Sequence, residues 1–440
     1  MYNKLITIFF GVSFLFSFQA KAQTGYNSPY TKFGFGSINS LESAFQLGQG
    51  GLSYTDTYYS QVNLANPASY TFIARHLPVF DVNLGSEFID ARTTDTSRWF
   101  KTSYLSSFTL GLPTGKKSGV AMSYQPFSRL GYTITDSLQT PDGFTQKNIY
   151  RGQGSINRLM LGYGRLLFTN DSSNFVLSGG FNASYLFGAM SNLRQSSFEQ
   201  GSGYTSFIEK DTSSIKDIMF EGGLHAKYTA NKNTQLSFGL TYSHNTNLNA
   251  TNEYVAYKYF GSVLAVIDTL GSTGIQKGTY TLPGAIGAAV SINYKHKYGA
   301  GIQFTHRNMS NFASDFRLTS VAQFTASNQI NMGFWYKPSA SADYIAANSF
   351  KNGIYKFGIR YQTLGLLINN TEISEMAVST GVNLPLVSSG SLSSINFGIE
   401  FGLRGTTDQG LVQERFARLK FGVAITPSKG DRWFVKRKYD

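Results

Sequence analysis

The chain has 440 residues, 41% hydrophobic, 15% aromatic and 14% charged, with 45 glycines, no cysteine and a formal charge of +13. The absence of cysteine excludes disulfides and thiolate metal sites. The basic residues are scattered rather than clustered, which argues against nucleic-acid binding, and the aromatic and glycine enrichment suits one large barrel better than two or three soluble domains.

Residues 1–22 read as a secretory signal peptide. Lys4 supplies the charged start, Leu5 to Phe18 the apolar stretch and Ala20-Lys21-Ala22 the small-residue cleavage site. The apolar stretch falls short of the about 20 residues a spanning helix needs. Residues 23–74 form a second unit. A polar, aromatic lead-in, Asn27 to Ser40, precedes a short helix over Leu41 to Leu47. Then comes QLGQGGLSYTDTYYSQVNLANPASY, Gln46 to Tyr70, in which Gly48, Gly50 and Gly51 allow positive φ and close backbone approach and Pro67 fixes one φ. This composition predicts a compact insert, a plug, rather than a strand.

From Arg75 the pattern changes to period two. In INFGIEFGLR, Ile395 to Arg404, apolar side chains fall on one face and Asn396, Gly398, Glu400, Gly402 and Arg404 on the other. Tyr355 to Tyr361 and Leu419 to Ile425 divide the same way. A soluble sandwich would turn its apolar face inward and solvate the other, where glycines are unusual. The separators mostly alternate short (Pro113–Ser118, Thr169–Asn174, Lys295–Lys297) and long (Ser137–Lys147, Asn192–Ser214, Asn245–Gly278), as periplasmic turns and external loops do in an outer-membrane barrel. Residues 75–426 therefore predict an all-β fold, a transmembrane antiparallel β-barrel of about 14 strands with the 23–74 plug in its lumen. Trp99, Tyr294, Tyr298, Trp335 and Tyr336 stand where girdle aromatics belong.

Several residues carry chemistry. The register points Arg158, Lys356, Arg360, Glu400, Arg404, Glu414, Arg418 and Lys420 into the lumen. They suit either an internal ion network that ties strands and plug together or a receiver for a carboxylate or phosphate. Glu42 and Asp56 of the plug are acids able to face Arg158, Lys356 and Arg360. Pro126 cannot donate to a ladder, so it marks a bulge or a lateral gap in the third strand. Residues 427–440 form a basic tail around Trp433 and Phe434, either solvated beside anionic headgroups or docked on a periplasmic or outer-membrane protein. The five histidines are isolated, and Gly111 to Ser118, GLPTGKKS, is a hairpin turn rather than a phosphate loop. No catalytic residue, metal or cofactor is expected.

The segment ending in Asn66-Pro67-Ala68, the run YTLPGAIGAAVSINY from Tyr280 to Tyr294 and the C-terminal run GLRGTTDQGLVQERFARLKFGVAI ending in DRWFVKRKYD resemble the FadL/TodX family of outer-membrane transport proteins, in its divergent Bacteroidota branch with PorV-like relatives. The resemblance covers nearly the whole mature chain in layout and is specific in these three places. It implies a cell outer-membrane location among outer-membrane lipids, a hatch built on the Asn-Pro-Ala motif, a lateral gate at Pro126, and passage of long-chain fatty acids or other hydrophobic molecules. It also implies an alternative, because some relatives serve as non-transporting accessory subunits in type IX protein secretion or barrel assembly.

Overall fold

The computed structural model describes residues 27–75, 77–170, 174–199, 201–260, 263–269, 274–316, 323–339, 350–386 and 391–427. The signal segment, His76, and the tail with Trp433 and Phe434 lie outside the described residues. After β1 (Ser37–Ile38), a helical turn at Ala44–Leu47 and a 3-10 turn at Pro67–Phe72, the chain is almost wholly strand. Its strands are β2 (Val79–Arg92), β3 (Ser97–Pro113), β4 (Ser118–Gln139), β5 (Thr145–Asn170), β6 (Phe175–Phe198), β7 (Ser206–Asn231), β8 (Thr234–Ser243), β9 (Thr246–Phe260) and β10 (Val263–Thr269). They continue as β11 (Gly274–Leu282), β12 (Ala285–Tyr294), β13 (Tyr298–Asn308), β14 (Ala313–Ser314), β15 (Gln323–Phe324), β16 (Ala326–Tyr336), β17 (Ile354–Ile368), β18 (Thr371–Pro385), β19 (Ser394–Arg404) and β20 (Gln413–Ile425).

Strands β8 and β9 ascend as one stave and β11 and β12 descend as another, giving a closed antiparallel barrel of 14 staves. Closure runs through β2, which pairs with β3 on one side and with β20 on the other, from Phe80↔Ile425 to Arg92↔Gln413. A closed barrel leaves no sheet edge for lipid to meet, the condition that lets strands cross a bilayer.

The alternation is inside out relative to a soluble protein. On β19 the apolar Phe397, Phe401 and Leu403 are 42–51% exposed, while Asn396, Glu400 and Arg404 are 0–5% exposed. Lipid takes the place of a core on the outer face, and the polar face is enclosed. Girdle tyrosines stand in register at one rim as Tyr294↔Tyr298, Tyr298↔Tyr336 and Tyr336↔Tyr355 across β12, β13, β16 and β17. Trp335, one residue away, turns inward, where its indole fills the space that a Gly299 side chain would take.

The segments expected as long external loops are largely strand. β6 continues to Phe198 and β7 begins at Ser206, while β9 and β11 pair from Thr246↔Leu282 to Tyr254↔Gly274. At 26 residues, β5 and β7 far exceed the roughly 9–11 that cross a bilayer, so their outer halves stand above it. There the outer face meets water, and Ser, Thr and Asn replace the apolar stripe, which makes a strand look like a loop. Inside this extension Leu186, Met190, Ile215, Met219, Leu248 and Leu282 pack with Phe35 of the N-terminal segment and with Phe312 and Phe316, which follow β13. The external end of the lumen is thus filled by an apolar core.

Candidate functional site in the lumen

The enclosed face of the barrel is where the N-terminal segment lies. Ser43 begins its helical turn with a capping box, its side chain taking the Gln46 N–H while the Gln46 side chain accepts from the Ser43 backbone. Gly48 continues the turn at φ −61°, so the positive φ expected there is absent. Its lack of a side chain instead lets the chain approach Gly381 of β18, with a Cβ only 2.7 Å from the Gly381 Cα. Gly50 and Gly51 do adopt φ of 70° and 80°. A Cβ on Gly358 of β17 would overlap the Gly50 amide, so segment and wall touch backbone to backbone. Gly50 donates its N–H to Ser379 at 2.8 Å and accepts from Asn331.

Farther on, Asn66 joins three elements. Its carbonyl oxygen accepts the Ala68 N–H at 3.1 Å, and its amide donates to the carbonyls of Tyr54 at 2.8 Å and Leu224 of β7 at 3.0 Å. Pro67 opens the 3-10 turn, where its missing N–H costs nothing, and its carbonyl rests against Gly164 and Gly180. Ala68 is fully buried, and Tyr70 donates to Asn182 at 2.9 Å. Leu47, Leu52 and Tyr70 are at most 1% exposed, each contributing about 2 kcal/mol by burial.

Charge ties the segment down more specifically. Glu42 lies 3.7 Å from Arg360 and 3.5 Å from Lys420, and Lys420 also donates to the Glu42 carbonyl at 2.7 Å. Burial pushes the Glu42 carboxyl up, but Lys420 and Arg360 outweigh it and hold the group below its ordinary range. Behind Glu42 run two rows of neighbours across the wall. Arg404 stands between Glu375 (2.6 Å) and Glu414 (2.9 Å), and Arg418 between Glu400 and Glu87 (2.9 Å each). Arg360 reaches Glu375 at 2.9 Å and Glu400 at 2.6 Å, Arg418 also reaches Glu375, and Arg129 reaches Glu87 at 3.4 Å. Five cations (Arg129, Arg360, Arg404, Arg418, Lys420) thereby meet five carboxylates (Glu42, Glu87, Glu375, Glu400, Glu414).

Two expected partnerships differ. Arg158 pairs with Glu221 of β7 at 3.2 Å rather than with an acid of the segment. Lys356 donates to the Phe45 carbonyl at 2.8 Å and covers the Phe45 ring, while Asp56 accepts from Gln49 at 2.8 Å and feels Lys356 through space. Burial pushes the Asp56 carboxyl up to about 6, against the pull of Lys356 and the Gln49 and Gln46 amides. Glu87, Arg129, Glu221 and Glu375 were not singled out in the sequence. Their signal was the Glu–Arg–Glu alignment across adjacent strands, readable only once the register is known.

Pro126 sits at a register shift in β4, where Pro126↔Asn157 is followed by Ser128↔Ile156. The extra residue, Phe127, is 2% exposed within the lumen core. β3 and β4 pair only from Phe108↔Tyr124 to Pro113↔Gly119, so the wall parts above Tyr124. The N-terminal segment covers the parting: β1 pairs Ser37↔Arg129 and Ile38↔Ser128, Asn39 donates to the carbonyls of Phe127 at 2.8 Å and Pro126 at 3.2 Å, and Ser28 donates to Gly131 at 2.8 Å. Across the parting the Arg129 guanidinium stacks on Tyr104 of β3, 3.8 Å from the ring centre.

Between the halves of the segment a cavity of about 320 Å³ remains. Arg158, Glu221 and Arg307 line one side and Arg360, Glu375 and Arg418 another. His306 pairs with Asn328 at 2.8 Å and Arg307 with the Pro283 carbonyl at 2.6 Å. Among the described residues no group of three or more His, Asp or Glu stands at metal-binding distance.

Residues 1–440, the full length, match the family model BamG. The chain belongs to the BamG family. No curated protein matches it. Solved structures similar to this BamG-family chain include a Pseudomonas aeruginosa FadL homologue, at 11% identity and a TM-score of 0.60, with 89% of this chain and 99% of that one covered. The Pseudomonas putida toluene transporter TodX aligns at 14% identity and a TM-score of 0.57, covering 88% and 99%. The CymD monoaromatic hydrocarbon channel aligns at 13% and 0.52, covering 89% and 99%. At such identities the likeness is one of fold, the FadL-like outer-membrane barrel.

Proposed function

We propose that this BamG-family barrel resides in the outer membrane as a closed, non-transporting subunit of a barrel-assembly complex. The observation that carries the reading is the occupied lumen. Residues 27–74 act as a plug whose Glu42 completes a charge-balanced network with Arg360 and Lys420, and an apolar core fills the external end. Withdrawing the plug would strip two buried cations of a carboxylate, a change that costs several kcal/mol and opposes gating. The family membership supports the same reading. The partner surface includes the tail around Trp433 and Phe434, whose rings suit anchoring in a protein pocket. The deciding experiment is mild purification of the tagged full-length chain from its native outer membrane. A stoichiometric outer-membrane or periplasmic partner, lost on deleting residues 427–440, is expected; a barrel that purifies alone under every crosslinking condition overturns the reading.

A second reading, passage of long-chain fatty acids or other hydrophobic molecules, is favoured by the parting of β3 from β4 at Pro126 and by the fold shared with hydrocarbon channels. It requires β1 to leave the parting and an apolar path through a cavity lined by arginine and glutamate. Uptake of a hydrophobic dye into cells expressing the chain, and its loss on deleting the gene, would favour this reading over the first.

A further inference from the structure

The outer wall carries a feature that neither reading uses. Most outward positions on β12, β13, β16 and β17 bear large side chains, but Ala300 of β13 does not. It lies between Ile292 and Phe334 in register, so its small side chain leaves a slot floored by the β13 backbone. Below it the Tyr298 and Tyr336 rings stack at 5.1 Å and 22°. The result is an apolar groove of about 570 Å³ on the lipid-facing surface, at the periplasmic end of the wall.

The groove's periplasmic rim is basic. The turn between β12 and β13 is Lys295-His296-Lys297, its backbone bonded to the neighbouring turns through Asn233 (2.6 Å) and Lys337 (2.7 Å). Lys232, Lys295, Lys297 and Lys337 thus share three adjacent turns; residues 229–237 and 292–300 contain no Asp or Glu, and the sequence of the third turn adds Lys351 and one acid, Asp343. The Lys295 ammonium lies 5.2 Å from the centre of the outward Tyr294 ring, at the foot of the groove. Lys295 and His296 both hold positive φ, 52° and 54°, where Asn-Gly would be the relaxed choice. A tight turn that holds Lys295 in a strained conformation keeps it for its side chain rather than for its backbone.

We propose that this groove is a binding site for one anionic phospholipid of the periplasm-facing leaflet. An acyl chain lies in the Ala300 slot between Ile292 and Phe334, the glycerol region meets the tyrosine hydroxyls, and the phosphate is held by Lys295 and Lys297. Charge complementarity selects the headgroup, and the chain slot separates a bound lipid from the bulk annulus. The inference rests on the outer-membrane orientation with short turns toward the periplasm, and on neither of the functions above.

The test uses the full-length barrel in nanodiscs of phosphatidylglycerol and phosphatidylethanolamine, released into detergent and weighed by native mass spectrometry. One phosphatidylglycerol retained per barrel is expected. Ala300→Phe should abolish retention by filling the slot, and Lys295→Gln with Lys297→Gln should weaken it about thirtyfold. Heat-modifiable migration of each variant on gels reports that the barrel is folded. Equal retention of phosphatidylglycerol and phosphatidylethanolamine, or unchanged retention in both variants, overturns the proposal. So does an Ala300→Phe variant that loses a co-purifying protein while keeping its lipid, which would make the groove a protein contact.

Discussion

Arg360 is the sharpest test of the lumen network, because its guanidinium contacts three carboxylates: Glu400 at 2.6 Å, Glu375 at 2.9 Å and Glu42 at 3.7 Å. Arg360→Met preserves most of the side-chain length and removes the charge, leaving five carboxylates against four cations. Removing one partner of a buried pair costs about 3–5 kcal/mol, since the abandoned charge keeps its desolvation penalty and loses its compensation. Arg360→Met combined with Glu400→Gln brings the cluster back to balance, so about half of that loss should return. The measurement is reversible urea unfolding of the refolded barrel in lipid vesicles, followed by tryptophan fluorescence. A single variant within about 1 kcal/mol of the parent would refute the reasoning. So would a double variant no more stable than the single, because the penalty would then not come from charge imbalance.

Gly358→Val puts a branched side chain where Gly50 now touches the wall, so the plug must shift while the barrel persists. Residues 27–74 should become protease-sensitive, and ion conductance in planar bilayers should rise above that of the parent. The Asp56 carboxyl, at about 6, lies above its unfolded value of about 3.9, so its contribution is fully present below pH 4 and is lost as pH rises through 6. Plug protection against protease should therefore strengthen from pH 7.5 to 5, by about 1.4 kcal/mol, and Asp56→Asn should flatten the profile. Glu42, held low, acts in the opposite sense: its contribution is present above about pH 4.3 and is lost as pH falls through its depressed value. Asn66→Ala leaves the Tyr54 and Leu224 carbonyls without their donor and should destabilise plug docking by about 1–3 kcal/mol, read by hydrogen exchange of residues 66–72. Pro126→Val should leave hydrophobic-dye uptake unchanged, since β1 already covers the parting; a loss of uptake would favour the transport reading.

The sequence carried the barrel well where one face meets lipid. Ile395 to Arg404 is legible because hydrocarbon demands apolar side chains at every second position, and the enclosed face can then hold Glu400 and Arg404. Above the membrane that demand disappears. Residues 192–214 lose their alternation and read as a loop, although residues 192–198 belong to β6, which pairs with β5 and β7, and residues 206–214 to β7, which pairs with β6 and β9. The lumen charges were legible one strand at a time, but partners were not. Arg158 and the acids of the N-terminal segment all read as inward-facing, whereas a pairing with Glu221 depends on a two-strand register that composition does not encode. Gly48 shows the same limit at short range: its residue type permits a left-handed turn, and the capped helical turn from Ser43 dictates a right-handed one.

Charge balance also says what the N-terminal segment is to the barrel. Without Glu42 the wall cluster holds Arg129, Arg360, Arg404, Arg418 and Lys420 against Glu87, Glu375, Glu400 and Glu414, one cation in excess. An enclosed excess charge is costly, so the wall is not a finished structure into which a plug is later fitted. Glu42 supplies the missing carboxylate, and β1 supplies a partner for Ser128 and Arg129 of β4 above Tyr124. The segment therefore completes the barrel twice, once in charge and once in backbone pairing. A gate must leave behind a stable wall when it moves; this one would leave an unpaired strand edge and an uncompensated cation. The fold is FadL-like, and the N-terminal segment contributes a carboxylate and a strand pairing to its wall.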